Sequence, residues 1–185
     1  MANHAERIDA RVTIVTLMLR EDHQKLKQLF DQFHEAATIN EKRSIVTEAL
    51  TALEVHATLE EELIYPAWQE RLGEQCLWDE ALQEHHVIRL LIKELKTMSP
   101  SDARYDAKFT VLSEHVKRHM KEEEGKIFPQ AEKADLDWEP LTRQVLQRRQ
   151  SLEHKELWLC GVPVLFNTRE TACSTRAVLS GRAGN

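Results

Sequence analysis

The chain has 185 residues, of which 42% are hydrophobic and 30% are charged, a balance typical of a globular protein with one domain and length to spare. The formal net charge of −6 excludes the basic field that binds nucleic acid phosphates, so we expect no nucleic acid partner. Without a signal peptide or an apolar run of roughly 20 residues, and with widely spaced cysteines that form no CxxC framework, we expect no membrane partner and a reducing, cytoplasmic location.

Four predicted helices follow one another along the chain. The low glycine and proline content and the many residues of high helix propensity predict an all-α protein. Apolar residues at helical spacing predict a first helix over residues 8–36. A second helix is kinked at Pro66 because proline removes a backbone donor. A third helix is predicted over residues 75–97, and a fourth begins after the cap-like sequence that starts at Ser99 and meets Pro129.

These elements predict an up-down-up-down four-helix bundle over residues 1–135, since four helices with short links favour that arrangement. An additional C-terminal helix is expected over residues 136–160. It packs either on the bundle or on a partner, and a homodimer is one alternative. Residues 161–185 are interpreted as an irregular or disordered tail, because the apolar periodicity ends there.

The two halves of this bundle repeat each other at a distance of 63 residues. Few other residues match at this distance. Because the residues that the two halves have in common are mostly potential metal ligands, we infer that the halves share a chemical role. The superimposed pairs are His23 with His86, His56 with His119, Glu60 with Glu123, and Tyr65 with Phe128.

The repeated residues can converge in the bundle interior. Residues four apart stack on one helix face, so His56 and Glu60 can point at one spot from the second helix, as can their counterparts from the fourth. Antiparallel helices also share a level at their middles. Burying such groups without a partner is costly, which favours a metal site. The predicted metal ligands are His23, His56, Glu60, His86, His119 and Glu123.

Two further histidines leave alternatives open. Successive helix residues point about 100° apart, so only one of His85 and His86 can face the centre. The repeat favours His86, on a face with Leu82 and Leu90, and leaves His85 to solvent or to contact with a ligand. His115, one turn before His119, is evenly divided between a seventh ligand, a neighbour of the ligands and a core residue.

The ligand types narrow the choice of metal. Imidazole and carboxylate suit iron, manganese or zinc, and bridging carboxylates in a bundle favour two iron ions. Two ferrous ions with only two carboxylates leave the centre net positive. Such a centre can accept an oxo or hydroxo bridge and favours reversible oxygen chemistry over attack on strong C–H bonds.

Four segments resemble the hemerythrin-like HHE cation-binding family: DHQKL at 22–26, HATLEE at 56–61, EHH at 84–86 and HMKEEE at 119–124. The resemblance covers about residues 12–130. It implies a four-helix bundle with a non-haem di-iron centre, held by the same six ligands. The oxygen carriers of the family have a second histidine four residues after the first on the third helix, where this chain has Leu90.

Several functions fit these expectations. The first is a di-iron protein that binds or senses dioxygen, a related diatomic molecule or peroxide, or iron itself. The second is an enzyme that removes peroxide or nitric oxide, or that repairs iron-sulfur centres as the resemblance implies for some relatives. The third is a regulatory role in which the additional helix and the tail engage a partner.

Overall fold

The computed structural model describes residues 12–73 and 75–159, and within these ranges the chain is helical and has no strand. The all-α prediction is confirmed. None of the helices in these ranges is both long and apolar enough to cross a membrane. The predicted tail at 161–185 and the predicted start of the first helix lie outside the described residues. The elements are α1 (Ile14–Glu35), α2 (Ile39–Leu59), the π-helical turn π1 (Glu60–Ile64), α3 (Tyr65–Leu72), α4 (Gln75–Thr97), α5 (Tyr105–Glu122), the π-helical turn π2 (Glu123–Ile127), α6 (Phe128–Lys133) and α7 (Trp138–Leu159).

Four rods make the predicted bundle, because π1 joins α2 to α3 and π2 joins α5 to α6. Capping fixes where two of the rods begin. The Thr13 hydroxyl accepts the backbone N–H of Thr16 at 3.1 Å, and Thr38 and Glu41 form the equivalent capping box for α2. The fourth rod begins at Tyr105, later than predicted, because residues 99–104 form turns closed by the bond from the Tyr105 N–H to the Asp102 carbonyl.

Two apolar clusters fill the bundle on either side of a polar middle. On α1, buried His23 lies between Leu19 of one cluster and Leu26 of the other. On α4, His85 lies between Ala81 and Ile88 in the same way. The aromatic residues at the centres of the clusters are Phe30, Phe33 and Phe109 in one and Trp68, Trp78 and Phe128 in the other.

The inward face of α4 differs from the prediction. Leu82 and Leu90, expected inside, are 39% and 50% exposed. The buried α4 residues match the buried α1 residues at a distance of 62 residues, not 63. The second half of the chain therefore has one more residue between its first and second rods than the first half has. The matched pairs are Leu19 with Ala81, His23 with His85, Leu26 with Ile88, Phe30 with Ile92, and Phe33 with Leu95.

Helix α7 packs on the bundle against α1, α2 and π1. Its own residues Leu141 and Val145 are buried against the bundle. Arg148 donates to Glu62 at 2.7 and 2.9 Å, and Arg149 forms a bidentate pair with Asp22. The additional helix thus reaches the level of the buried histidines.

Candidate metal centre

Each π turn begins at a glutamate that the repeat singled out. The backbone N–H of Tyr65 donates to the Glu60 carbonyl, and that of Phe128 donates to the Glu123 carbonyl, five residues back in both cases. A proline that cannot donate follows each aromatic residue directly. Because the π turn holds more residues than an α turn, it brings the aromatic ring back over the face that carries the glutamate.

Six buried side chains meet between the apolar clusters. They form two groups, and within each group the ligand atoms lie within 4.8 Å of one another. Glu60 belongs to both groups, since its Oε1 is 3.2 Å from His56 Nε2 and its Oε2 is 3.5 Å from His85 Nε2. The groups are His23, His56, Glu60 and Glu123, and Glu60, His85 and His119.

Glu123 also lies between the two groups. Its Oε2 is 3.3 Å from the Nε2 of His23 and 3.4 Å from the Nε2 of His119. Its Oε1 accepts a 2.6 Å hydrogen bond from the Tyr65 hydroxyl. Both glutamates are therefore placed to bridge two cations.

Every histidine of the centre is tied to a carboxylate on its outer side. His119 Nδ1 donates to Glu84 Oε2 at 2.8 Å, and this hydrogen bond lowers the pKa of Glu84. An ionised carboxylate only accepts, so Nδ1 carries a proton and Nε2 is the nitrogen that faces the centre. The other pairs are His23 with Glu124 at 2.8 Å, His85 with Glu61 at 2.8 Å, and His56 with Asp22 at 3.2 Å.

The charges of these groups depend on one another. Burial raises the pKa of Asp22, but hydrogen bonds from His56 and Arg149 outweigh it and bring the pKa to about 2. Burial likewise opposes ionisation of Glu123, yet the neighbouring histidines, His119 foremost, hold its pKa well below its usual range. The nearby glutamates in turn raise the pKa of His56 and His119 against the effect of burial. Asp22 and Glu123 are therefore ionised at neutral pH.

The donor set fits metal ions. Both carboxylate oxygens of Glu60 and Oε2 of Glu123 are buried and have no hydrogen-bond partner among the described residues. The Nε2 atoms of His85 and His119 are 2.9 Å apart, and those of His23 and His56 are 3.3 Å apart. Lone pairs and anionic oxygens at such distances repel one another unless protons or cations lie between them. Imidazole with carboxylate suits iron, manganese or zinc.

Aromatic rings close one side of the centre. Tyr65 stacks on His85 with 5.6 Å between ring centroids, and Phe128 stacks on His23 at 5.5 Å. Only Tyr65 brings a hydroxyl, which also lies 3.5 Å from His119 Nε2. Burial and the charge of Glu123 raise the pKa of Tyr65 well above its usual value, so its phenol stays protonated.

The structure brings together His23, His56, Glu60, His119 and Glu123, as the sequence predicted, but not His86. His86 is exposed on α4, and His85 takes its place. The physical reason is the one-residue offset of α4, which turns His86 away from the centre. The spacing of Ala81, His85, Ile88 and Ile92, an uninterrupted apolar stripe with one histidine, is the signal that could have found it.

Other residues take positions that the sequence left open or missed. His115 is partly buried and belongs to neither metal group of the described residues; its Nδ1 lies 3.4 Å from Arg118. The four outer carboxylates were missed as a set. Their signal is adjacency, because each directly precedes a central histidine or follows a central glutamate: Asp22, Glu61, Glu84 and Glu124.

Comparisons with known proteins agree with this architecture. The chain is similar, with 24% identity and a TM-score of 0.66 over 80% of this chain and 91% of the other, to the crystal structure of a hemerythrin HHE cation-binding domain-containing protein, the Rv2633c homologue of Mycobacterium kansasii. It is 27% identical over 114 residues to a DNA nickase of Nostoc sp. strain PCC 7120, in a match that spans 60% of this chain and 31% of that protein. The family model of the hemerythrin HHE cation-binding domain matches residues 15–131. The chain belongs to the hemerythrin HHE cation-binding family.

Proposed function

We propose that the protein holds two iron ions and binds a small ligand, dioxygen or a related diatomic molecule, at that centre. One ion would be held by the group around His23 and His56, and the other by the group around His85 and His119, with Glu60 shared. The observation that carries the proposal is the orientation of the four imidazoles. Each is fixed by an outer carboxylate so that its Nε2 faces the unpartnered oxygens of the two glutamates.

Iron is favoured by the mixture of ligands. Four imidazoles and two glutamates between helices match the donor types of carboxylate-bridged di-iron centres, and they leave two divalent ions net positive. Bound iron would supply the reversible change of oxidation state on which dioxygen binding depends. The residues of the chain balance part of the charge of the ions and orient the imidazoles. Because the centre is buried, they also exclude bulk water.

The space beside the centre supports a ligand of very few atoms. A cavity of about 10 Å³ lies against His56, His85 and His119, about the size that admits one water-sized molecule. Its other walls are apolar and favour an uncharged, weakly hydrated guest over an organic substrate. These walls are Leu26, Leu53, Ala57, Ile88, Val116 and Met120.

Anaerobic loading with ferrous iron tests this function. We expect two iron ions per chain by elemental analysis, a spin-coupled pair by Mössbauer spectroscopy after exposure to air, and uptake of about one dioxygen per pair. Uptake should reverse on removal of the gas. Retention of fewer than two ions, or uncoupled ions, would contradict the di-iron proposal; irreversible or repeated consumption of oxygen would contradict the binding role.

The Tyr65 hydroxyl favours a second candidate, an enzyme that consumes peroxide. A protonated phenol 2.6 Å from Glu123 and 3.5 Å from His119 can supply a proton inside the buried pocket. Multiple-turnover loss of hydrogen peroxide by the iron-loaded protein would favour the enzyme. Stoichiometric reaction followed by inactivation would favour the binding protein.

We propose no role on DNA. The similarity to the nickase involves 31% of that protein, and the chain has a net charge of −6, which opposes binding to phosphates. A gel-shift assay at low salt checks this point, and binding of a nicked or intact duplex would contradict it.

A further inference from the structure

We propose that the groove between α2 and α4 is the path by which the small ligand reaches the metal centre, and that Ala57 is its narrowest point. The inference rests on the proposed function, because it takes the histidine cluster to be where the ligand binds. The groove has a volume of about 310 Å³ and opens between two rods of the bundle. It is the outer half of a short route whose inner half is the cavity beside His56, His85 and His119.

One layer of side chains separates the groove from the inner cavity. Leu53, Ala57 and Ile88 line both spaces. Each side chain therefore lies between the groove on one side and the histidine cluster on the other. A ligand that crosses this layer arrives at the Nε2 side of the imidazoles, where the metal ions would lie.

The internal repeat shows why the layer is thin on this side. Ala57 corresponds to Met120 at the distance of 63 residues, Leu53 corresponds to Val116, and Ile88 corresponds to Leu26 at the distance of 62. All six line the inner cavity. Where α5 carries the long side chain of Met120, α2 has a single methyl group. Ala57 is 7% exposed, whereas Met120 is 1% exposed.

The rim of the groove indicates which ligands it admits fastest. The lining of the groove includes three cations, Arg89, Lys93 and Lys96, and one acidic residue, Glu54. Arg89 is paired with Glu61 at 2.6 Å and Lys96 with Glu54 at 2.7 Å, and Lys93 is exposed. The net positive rim attracts small anions. The route therefore suits molecules of two or three atoms, neutral or with one negative charge.

A second and larger groove offers a matched comparison. It lies between α1, α2 and α7, with a volume of about 740 Å³, and is lined by Asp22, Ala52 and Arg149 among others. Asp22 contacts the Nδ1 side of His56, so this groove leads to the outer carboxylate and not to the metal-facing nitrogen. Ala52 and Ala57 are alanines of the same helix, one in each groove.

Stopped-flow kinetics of azide binding to the iron-loaded protein test the route. We expect Ala57→Leu to slow association and dissociation together, by about tenfold or more, because both steps cross the narrowed layer. The matched Ala52→Leu should bind at the wild-type rate. Ile88→Val, which removes one methyl group from the layer, should speed both steps. Lys93→Glu should slow association and reduce its dependence on salt.

Nuclear magnetic resonance of the metal-free protein gives a readout that does not need iron. Dissolved dioxygen is paramagnetic and shortens the relaxation times of the methyl groups that it visits. We expect strong enhancement at the methyl groups of Ala57 and Ile88 and at Met120 in the inner cavity. Ala57→Leu should abolish the enhancement at Met120, and Ala52→Leu should preserve it.

The outcomes separate the route from the function on which it rests. If the wild-type protein binds neither iron nor azide, the proposed function fails, while the relaxation data still accept or reject the route. If azide binds and Ala57→Leu behaves like Ala52→Leu, the route is wrong. Circular dichroism checks that Ala57→Leu is folded. If it is not, Ala57→Val is used in its place, and wild-type rates in both Ala57→Val and Ile88→Val overturn the route.

Discussion

The Nδ1 atom of His85, on α4, donates a 2.8 Å hydrogen bond to Oε1 of Glu61, on π1. Glu61 directly follows Glu60, whose oxygens face the centre, so one dipeptide supplies both an inner ligand oxygen and an outer acceptor. In the other half, Glu124 plays the same part for His23. Each half therefore orients an imidazole that belongs to the other, and neither half holds a complete site alone.

Neutralising the outer carboxylates should weaken metal binding without removing a ligand. In Glu61→Gln and Glu124→Gln the amide no longer fixes the tautomer and the basicity of the imidazole. We expect metal affinity to fall by about 10–100-fold, the typical cost of losing such a partner. Competition with a chelator of known affinity measures the change.

Glu62→Gln is the matched control for these variants. Glu62 lies beside Glu61 in the sequence, but its carboxylate is exposed and pairs with Arg148. The Glu62→Gln variant should lower metal affinity by less than twofold, in keeping with the small contribution of exposed ion pairs. Equal losses in Glu61→Gln and Glu62→Gln would show that the hydrogen bond to His85 does not matter.

Substituting the two neighbouring histidines of α4 should give opposite results. His85→Ala removes one inward nitrogen and should leave about one metal ion fewer per chain. His86→Ala changes an exposed side chain and should keep the full metal content and thermal stability, within about 0.5 kcal/mol. Elemental analysis and thermal melts of both variants check this prediction. Loss of metal in His86→Ala alone would restore the assignment made from the repeat.

The error over His86 shows what the sequence could and could not supply. Helix periodicity predicted the rods, and the distance of 63 residues related His56 to His119 and Glu60 to Glu123, because the histidine and the glutamate of each half lie on one continuous rod. The same distance fails for α1 and α4, because the chain from the first rod to the second is one residue longer in the second half than in the first. An insertion in a link has no effect on local propensity, so only the burial pattern of α4 reveals it.

The outer contacts are harder to predict because they join distant parts of the chain. Asp22 and Arg149 are 127 residues apart, and neither belongs to a helical pattern that would set them opposite each other. Tyr65 directly precedes Pro66, and the π turn brings its hydroxyl to Glu123. The sequence shows Pro66; it does not show that a π turn precedes it.

Removing the cation beside Asp22 should destabilise the protein most at neutral pH and less in acid. Arg149→Met breaks a bidentate pair in which both residues are mostly buried, and we expect a loss of about 1–3 kcal/mol at neutral pH. The pKa of Asp22 is about 2 in the folded protein against 3.8 unfolded, so its stabilisation is present above pH 3.8 and is lost as the pH falls towards 2. In Arg149→Met the folded pKa of Asp22 should lie closer to 3.8, so this variant should lose less stability than the wild type as the pH falls.

Urea denaturation at pH 7 and at pH 3 measures the effect, and Arg148→Met is its comparison. The Arg148 pair with Glu62 lies at the surface, so its loss should cost less than about 1 kcal/mol. The same acid profile in both arginine variants would disprove the coupling between α7 and Asp22.

The metal-free protein should lose stability as the pH rises, whereas the metal-bound protein should not. Glu60 and Glu123 raise the pKa of His56 and His119 above 6.5 despite burial. A raised pKa stabilises the fold fully below 6.5, and this contribution is lost as the pH rises through the folded pKa. A metal ion displaces these protons, so its binding should release protons and stabilise the fold more at pH 8 than at pH 6.

Thermal melts with and without metal from pH 6 to 9 give the difference directly, and calorimetry in buffers of different ionisation enthalpy counts the protons. Parallel pH profiles for the two forms would contradict the linkage. So would uptake of metal without proton release.

Substitutions of the two aromatic residues over the centre should have different effects on stability and activity. Tyr65→Phe leaves the buried Oε1 of Glu123 without its 2.6 Å donor, which should cost the metal-free protein about 1–3 kcal/mol. The cost should be smaller with metal bound, because the cation offers that carboxylate another partner. If the phenol delivers a proton to peroxide, its loss should also slow peroxide consumption by about 10² or more.

Phe128→Tyr is the counterpart, since Phe128 stacks on His23 as Tyr65 stacks on His85 but contributes no hydroxyl. If the position of the phenol near His119 is what matters, Phe128→Tyr combined with Tyr65→Phe should restore the number of phenols without restoring the rate. Rapid-mixing measurements of peroxide loss on the iron-loaded variants decide this. An unchanged rate in Tyr65→Phe would remove the support for an enzyme and leave reversible ligand binding as the function that the centre favours.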